Sequence, residues 1–458
     1  MQNSNSTPLA QRFTIFSLLR FAAPSIGMML VISLYTVTDG IFIGRYAGAS
    51  ALAASNIVYP AINLIFGLAI MLASGGSALV AKNLGEGQKE AATRRFSFLT
   101  AAGAGIGLAL ALAIGLFLAP ILHFLGASDT LLAECRSYLG TMLPFFPMAA
   151  LMVIFNAFYI ADGRPIQGFI VSVLSGVTNA ALDYVFLAHM ELGIYGAALA
   201  TGLADLLAAV IGLVYFTHFS RTLRLTAFQA ESAVLHAACS NGISELVTQL
   251  SVGIVTFLFN IITFHWAGEA GVAAISVILY AEMLLTSILM GFTNGVAPIF
   301  SYNFGARRHA ELTRLLKLSL GVIMSFSLLS FIMARLLAQP LIRLFLPDGG
   351  STFALTLTGF LLFSLSFLLV GFNIFASGFF TALSDGKTSA LLSFARNLAG
   401  IVIFLLMLPR FLGLEGVWLA VPAADAAALL LTLSCLKSEN QTLQRQKKAF
   451  PKREDFSY

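Results

Sequence analysis

Apolar stretches of about twenty residues recur from near the N-terminus almost to the C-terminus, separated by short polar turns. A stretch of that length is what an α-helix needs to cross the hydrocarbon core of a bilayer. Composition agrees: 58% of residues are hydrophobic and 10% charged, against about 25% charged in an ordinary soluble domain. Length alone would suggest about three soluble domains, but the unbroken succession of apolar runs makes one membrane domain the better count.

The expected fold is therefore all-α. Twelve transmembrane helices are predicted near 13–44, 51–80, 96–120, 136–161, 166–188, 195–217, 240–264, 271–301, 318–338, 353–382, 389–409 and 413–436. The N-terminus is polar to about Gln11, and the first run is too long for a signal-peptide core and lacks a small-residue cleavage site, so it reads as the first membrane helix. The net charge of +5 is spread over short loops rather than gathered on one face, which argues against nucleic acid and for a topology signal. With twelve crossings, only Arg45, Arg136, Arg335, Arg343 and Arg410 of the 26 basic residues fall on the outer side. That asymmetry puts both termini in the cytoplasm, in a multi-pass protein of the cytoplasmic (inner) membrane. Cys135, Cys239 and Cys435 have no metal-like spacing and read as free thiols.

An internal repeat organises the chain. Gly75-x2-Ala78-x4-Asn83-x-Gly85 returns as Gly295-x2-Pro298-x4-Asn303-x-Gly305, and Gly193-x2-Gly196-x2-Leu199-Ala200-x4-Asp205 returns as Gly413-x2-Gly416-x2-Leu419-Ala420-x4-Asp425, both at an offset of 220. Ala161-Asp162-Gly163-Arg164 returns as Ser384-Asp385-Gly386-Lys387 at 223. Six helices are duplicated, and because six is even the copies are parallel repeats about an axis along the membrane normal. The predicted division is an N-terminal bundle over 1–217, a cytoplasmic linker over 218–239, a C-terminal bundle over 240–436 and a tail over 437–458, with a substrate path between the bundles. The Asn-x-Gly and Asp-Gly motifs read as helix-end turns.

Acids inside membrane helices are costly and mark functional sites by default. Six qualify: Asp39, Asp183, Asp205, Glu245, Glu282 and Asp425. At 1.5 Å per residue, Asp39 and Asp183 lie roughly 8 Å from the outer ends of their helices, Thr201 about 9 Å and Asn179 about 14 Å. Asn179 and Asp183, four residues apart, share a helix face. All four fall in the outer half, and together two carboxyls, an amide and a hydroxyl can ligate a sodium ion through oxygen or share a proton. Asp205 and Asp425 occupy equivalent places and read as architectural, Glu245 reads as an interfacial helix-start residue, and Glu282 is a candidate contact for a cationic substrate. Offset 223 puts Val402 and Leu406 opposite Asn179 and Asp183, so the pair is missing from the second half. Pro24, inside the first helix, is a candidate hinge. The forty phenylalanines and thirteen methionines supply apolar, adaptable material for cavity walls, although most of them should pack or face lipid.

Pro24 followed by Asp39-Gly-Ile-Phe-Ile-Gly44, Asn83-Leu-Gly85, Asn179-x3-Asp183 and Tyr302-Asn-Phe-Gly-Ala306 together resemble the multidrug and toxic compound extrusion (MATE) transporters of bacteria, over nearly the whole chain. The resemblance implies two six-helix bundles around a central cleft and antiport of organic cations and amphipathic drugs against protons or sodium ions, with no ATP, no nucleic acid, no enzymatic step and no cofactor beyond the coupling ion. It implies a cation site at Asp39, Asn179, Asp183 and Thr201, with Tyr138 and Asn156 in a neighbouring polar network, and a protein working as a monomer in the bilayer. A related architecture serves flippases of polyprenyl- or lipid-linked anions, which would need several membrane-embedded bases; here only Arg396 lies at depth. No HExxH, GxSxG or GxxxxGK[ST] pattern supports an enzyme or nucleotide-driven pump, and a passive channel would differ from an antiporter in failing to move substrate uphill.

Overall fold

The computed structural model describes residues 8–345 and 350–449; Lys452, Arg453 and the rest of the expected tail beyond 449 lie outside the described residues. The described chain is helical throughout its crossings: α1 (Ile15–Ala47), α2 (Ser50–Gly85), α3 (Lys89–Leu116), α4 (Leu132–Ala161), α5 (Pro165–His189) and α6 (Gly193–Phe219) form the first half. In the second half, one 74-residue helical run, Ser232–Gly305, is broken at Gly268 (φ 59°, ψ −148°), which separates α7 from α8. It is followed by α9 (His309–Arg343), α10 (Ser351–Leu368 with Val370–Ala382) and α11 (Gly386–Leu412), and by α12 (Leu414–Ala449). The twelve expected crossings are present, although α7 and α8 are continuous apart from one glycine whose positive φ only a residue without Cβ adopts freely.

The repeat is written in backbone conformation as well as in sequence. Gly48 and Gly268 have positive φ at an offset of 220, as do Gly193 and Gly413, and Gly87 matches Arg307. The α4–α5 turn corrects the alignment. Gly163 carries the positive φ in the first half, but Ser384 carries it in the second, an offset of 221 rather than 223. Asp162 and Asp385 are therefore not equivalent. Asp385 caps α11, accepting from Thr388 N at 3.1 Å, whereas Asp162 accepts from Tyr215 Oη at 2.7 Å, Ser220 Oγ at 2.8 Å and Leu223 N at 3.0 Å. Three donors on one buried carboxylate fasten the connecting segment to the first half. With 220 to 221 as the offset, Asn179 and Asp183 face Ala399 or Gly400 and Ile403 or Phe404, not Val402 and Leu406; the polar pair is still absent there.

The connecting segment is shorter than expected. Helix resumes at Ser232, so 232–239 belong to α7, and α12 runs on to Ala449.

The halves meet through glycine. A Cβ on Gly85 would overlap the Tyr302 carbonyl, and one on Gly305 would overlap the Lys82 carbonyl, so the same contact is made twice with the halves exchanged. Gly75 lies against Ala238 and Gly242, and its repeat Gly295 lies against Ala22, whose Cα would be 3.1 Å from a Cβ added at that glycine. This reciprocity is what a two-fold axis between parallel copies produces. It also corrects the turn reading of Asn-x-Gly: these glycines let α2 and α8 touch backbone to backbone, the small-residue packing that membrane helices use where lipid supplies no hydrophobic drive. The turns themselves are made by Gly87 and Arg307.

Valine at Gly85 cannot be accommodated without parting α2 from α8. In a background lacking the three cysteines, Ser301→Cys, a buried position lining the cavity behind this contact, should react with a maleimide at least about tenfold faster when Gly85→Val is added, a shift of about 1.4 kcal/mol in the closed equilibrium. An unchanged rate would mean that the crossing does not hold this end closed.

Candidate functional site

Residues from both halves enclose a cavity of about 460 Å³, a size that suits a drug-like molecule. Its wall on α1 runs from Met28 to Asp39, with Met28, Ile32, Tyr35 and Asp39 at the spacing of successive helical turns and Met29, Ser33 and Thr36 beside them. Six of the thirteen methionines line it, at Met28, Met29, Met142, Met152, Met283 and Met290, against a single phenylalanine, Phe66. Methionine therefore supplies the adaptable wall, while phenylalanine is used for packing: Phe96, Phe155, Phe158 and Phe216 stack together in the interior of the first half. Among the described residues no lysine, arginine or histidine lines the cavity; the charged residues that do are Asp39, Asp205 and Glu245.

Asp39 stands near the end of α1, immediately before the π-turn Ile43–Ala47, and Asp183 closes the regular part of α5 before the π-turn Tyr184–His189. Each π-turn inserts a residue and re-aims the chain beyond it, a device common at functional sites. The two carboxyls lie within hydrogen-bond reach of each other, with Asp183 fully buried behind Asp39. Neither Asp183 oxygen nor Asp39 Oδ1 receives a hydrogen bond. Beside them Asn179 Nδ2 donates to Thr201 Oγ1 at 3.3 Å, and both residues face the cavity. The four expected residues are thus in one place, and what they lack is a positive partner: a proton or a monovalent cation held between the carboxyls fits the donor set. Among the described residues no three His, Cys, Asp or Glu side chains gather into a larger metal cluster.

Tyr138 and Asn156 line the same cavity. The hydrogen bond made by Asn156 goes to Met152 Sδ at 3.4 Å, while Tyr138 is within electrostatic reach of Asp39, Asp183 and Asp205. Glu245 is not the interfacial residue expected. Because α7 begins at Ser232, Glu245 lies thirteen residues, about 20 Å, into the helix and lines both this cavity and a neighbouring one of about 210 Å³. The signal missed was the helical competence of 232–239, whose charge and polarity resemble a loop.

The smaller cavity contains Glu282 and Arg396. Arg396 is already committed: its Nε donates to Asp425 Oδ1 at 2.7 Å and its Nη1 to Asn397 Oδ1 at 2.8 Å. Asp425 also accepts from Ser366 Oγ and from Asn373 Nδ2. The architectural reading thus suits Asp425. Asp205 differs, since it is 4% exposed, faces the main cavity and has an oxygen, Oδ2, with no donor. Pro24 lies in the continuous part of α1, fifteen residues from Asp39.

A helical membrane protein of two repeated six-helix halves, with an acid-lined, base-free cavity between them, is the class so defined. The MatE family model matches residues 24–185 and 246–406, and the chain belongs to the MATE family of transporters. It is 24% identical to the multidrug export protein MepA of Staphylococcus saprophyticus and 25% identical to MepA of Staphylococcus aureus, in each case over 91% of this chain and 92% of the relative. Among solved structures, an outward-facing multidrug resistance MATE family transporter of the MOP superfamily superposes with a TM-score of 0.89 at 21% identity, over 97% of this chain and all of that one. A crystal structure of MATE in complex with MaL6 gives a TM-score of 0.88 at 21% identity, over 96% of this chain and all of that one.

The two kinds of buried acid should respond oppositely to amidation. Asp425→Asn strands Arg396 and should cost about 3 kcal/mol. Asp183→Asn removes one of two facing carboxyls and should leave stability unchanged or raise it by about 1 kcal/mol. Thermal unfolding in detergent at pH 8 without sodium distinguishes them; a loss for Asp183→Asn as large as for Asp425→Asn would make the pair structural.

Proposed function

We propose that this chain is a secondary active antiporter that exports organic cations and amphipathic drugs in exchange for protons or sodium ions. The observation that carries the reading is the contact between Asp39, a carboxyl at the cavity wall, and the fully buried Asp183, whose buried oxygens have no donor. Such a pair binds a proton or a sodium ion readily and releases it when its surroundings rearrange, so its charge alternates with occupancy. Asn179 and Thr201 supply further oxygens for a cation. The base-free cavity and its methionine lining suit cationic, apolar cargo, and the staphylococcal relatives' name, multidrug export protein, supports the same cargo class. Glu282 is a second acid for a cationic group, on the C-terminal side. The reading carries with it an inner-membrane location, cytoplasmic termini and linker, and a monomer independent of ATP and nucleic acid.

A flippase for lipid-linked anions fits poorly. The base expected at membrane depth, Arg396, is closed onto Asp425 and Asn397, and among the described residues no basic side chain lines the main cavity to meet a phosphate.

Asp39→Asn is nearly isosteric but cannot exchange a proton and is a weaker cation ligand. In proteoliposomes it should bind a cationic dye within about threefold of the wild-type affinity, a difference of about 0.7 kcal/mol, and export it at background rate under either a pH or a sodium gradient. Near wild-type export under either gradient would overturn the coupling assignment and turn attention to Asp183.

A further inference from the structure

The duplicated frame contains its own control for what Asp205 does. Gly193 and Gly413 share the positive φ that opens α6 and α12, and Asp205 and Asp425 each lie twelve residues beyond. In the second half the carboxylate is neutralised from the adjoining helix α11: Arg396 Nε donates to Asp425 Oδ1 at 2.7 Å, with Ser366 and Asn373 completing the shell. In the first half the adjoining helix α5 packs in the same way, Ser175 Oγ donating to the Ala204 carbonyl at 3.1 Å. At offsets of 220 to 221, the positions matching Arg396 are Gly176 and Ser175, and neither supplies a charge. Asp205 keeps a buried oxygen with no donor, in a cavity without a basic residue. The guanidinium that one half builds in, the other half omits.

We propose that Asp205 is the specificity-determining anchor for the transported cation, and that the group it takes is a planar N–H donor of the guanidinium or amidinium type, standing where Arg396 stands in the second half. The inference rests on the antiport reading and separates two roles within it: Asp39 and Asp183 hold the coupling ion, and Asp205 holds the cargo. A charge-assisted N–H···O bond in a site removed from water rewards a donor that can reach the carboxylate, and the aromatic rings of Tyr35 and Tyr138, both within electrostatic reach of Asp205, flank a flat cation favourably. A cation with no N–H, such as tetraphenylphosphonium, gains only the diffuse negative potential of the cavity.

The test compares two probes on the full-length protein in nanodiscs: hydroxystilbamidine, an aromatic diamidine, and tetraphenylphosphonium. Asp205→Asn should weaken hydroxystilbamidine about tenfold or more while weakening tetraphenylphosphonium no more than about threefold, as expected for loss of one charge-assisted bond. Retained tetraphenylphosphonium binding also reports a folded cavity. Unchanged hydroxystilbamidine affinity, or equal losses for both probes, overturns the assignment. The underlying antiport reading fails separately, if the wild-type protein in proteoliposomes moves neither probe against its gradient when a pH or sodium gradient is imposed.

Discussion

Inside a bilayer a polar group has no water to fall back on, so each must find its partner within the protein. Most of this chain obeys closely. Threonines such as Thr36, Thr263 and Thr293 turn their hydroxyls back onto the preceding helical turn, Ser377, Ser389, Ser393 and Thr381 share hydrogen bonds among themselves, and Asp425 is enclosed by Arg396, Ser366 and Asn373. Buried polar atoms without a partner occur in both halves, Ser172, Asn241 and Asn303 among them, and they include three carboxyls of the first half: Asp39, Asp183 and Asp205. A buried carboxyl left in this condition costs several kcal/mol unless a proton or cation joins it. The site is defined by what the protein leaves unfinished.

The crossings and the duplication were legible in the sequence because both depend on long, strong patterns: twenty-residue apolar runs and motifs repeated at one spacing. The cluster at Asp39, Asn179, Asp183 and Thr201 was expected from the family resemblance, and depth along a helix, which follows from residue count, put all four in the outer half. What escaped had local causes. A single glycine, Gly268, separates α7 from α8 without a polar loop, and nothing in hydropathy marks it. The Asp-Gly motif suggested an alignment two residues out, since similar letters serve a turn after α4 and a cap before α11. Glu245 was misplaced because 232–239 is polar enough to pass for linker. The π-turns after Asp39 and Asp183 break the 3.6-residue periodicity on which sequence reasoning about faces relies, and no hydropathy pattern marks them. Nor does composition distinguish methionines that line a cavity from phenylalanines that pack beside it.

The two halves share a frame and divide the labour. Glycines at 75, 85, 295 and 305 serve the interface symmetrically because an interface about a two-fold axis makes the same demand on both copies. Charge need not obey that symmetry. One copy has enclosed its α12 acid with a guanidinium and amide, which stiffens the bundle; the other leaves the matching acid, Asp205, facing the shared cavity with no donor to its Oδ2. Duplication thus provides a rigid partner against which a reactive half can work.

The first helix belongs to neither half alone. Leu9 and Phe13 are buried in the interior of the second half, Arg308 Nη1 holds the Ala10 carbonyl at 2.8 Å, and α1 is crossed by α8 at Ser25 and Ile26. Beyond that point its neighbours change: Gly27 faces Phe169 of α5, and Gly176 of α5 lies against Val31 and Tyr35. One end of α1 is therefore clamped to the second half and the other, bearing Asp39, to the first. Mechanically it is a beam fixed at both ends to separate bodies, and any rotation of one body against the other loads it in bending. Pro24, which lacks the N–H that would brace the turn before it, stands at the changeover between the two clamps, where a beam so held has its greatest need to give.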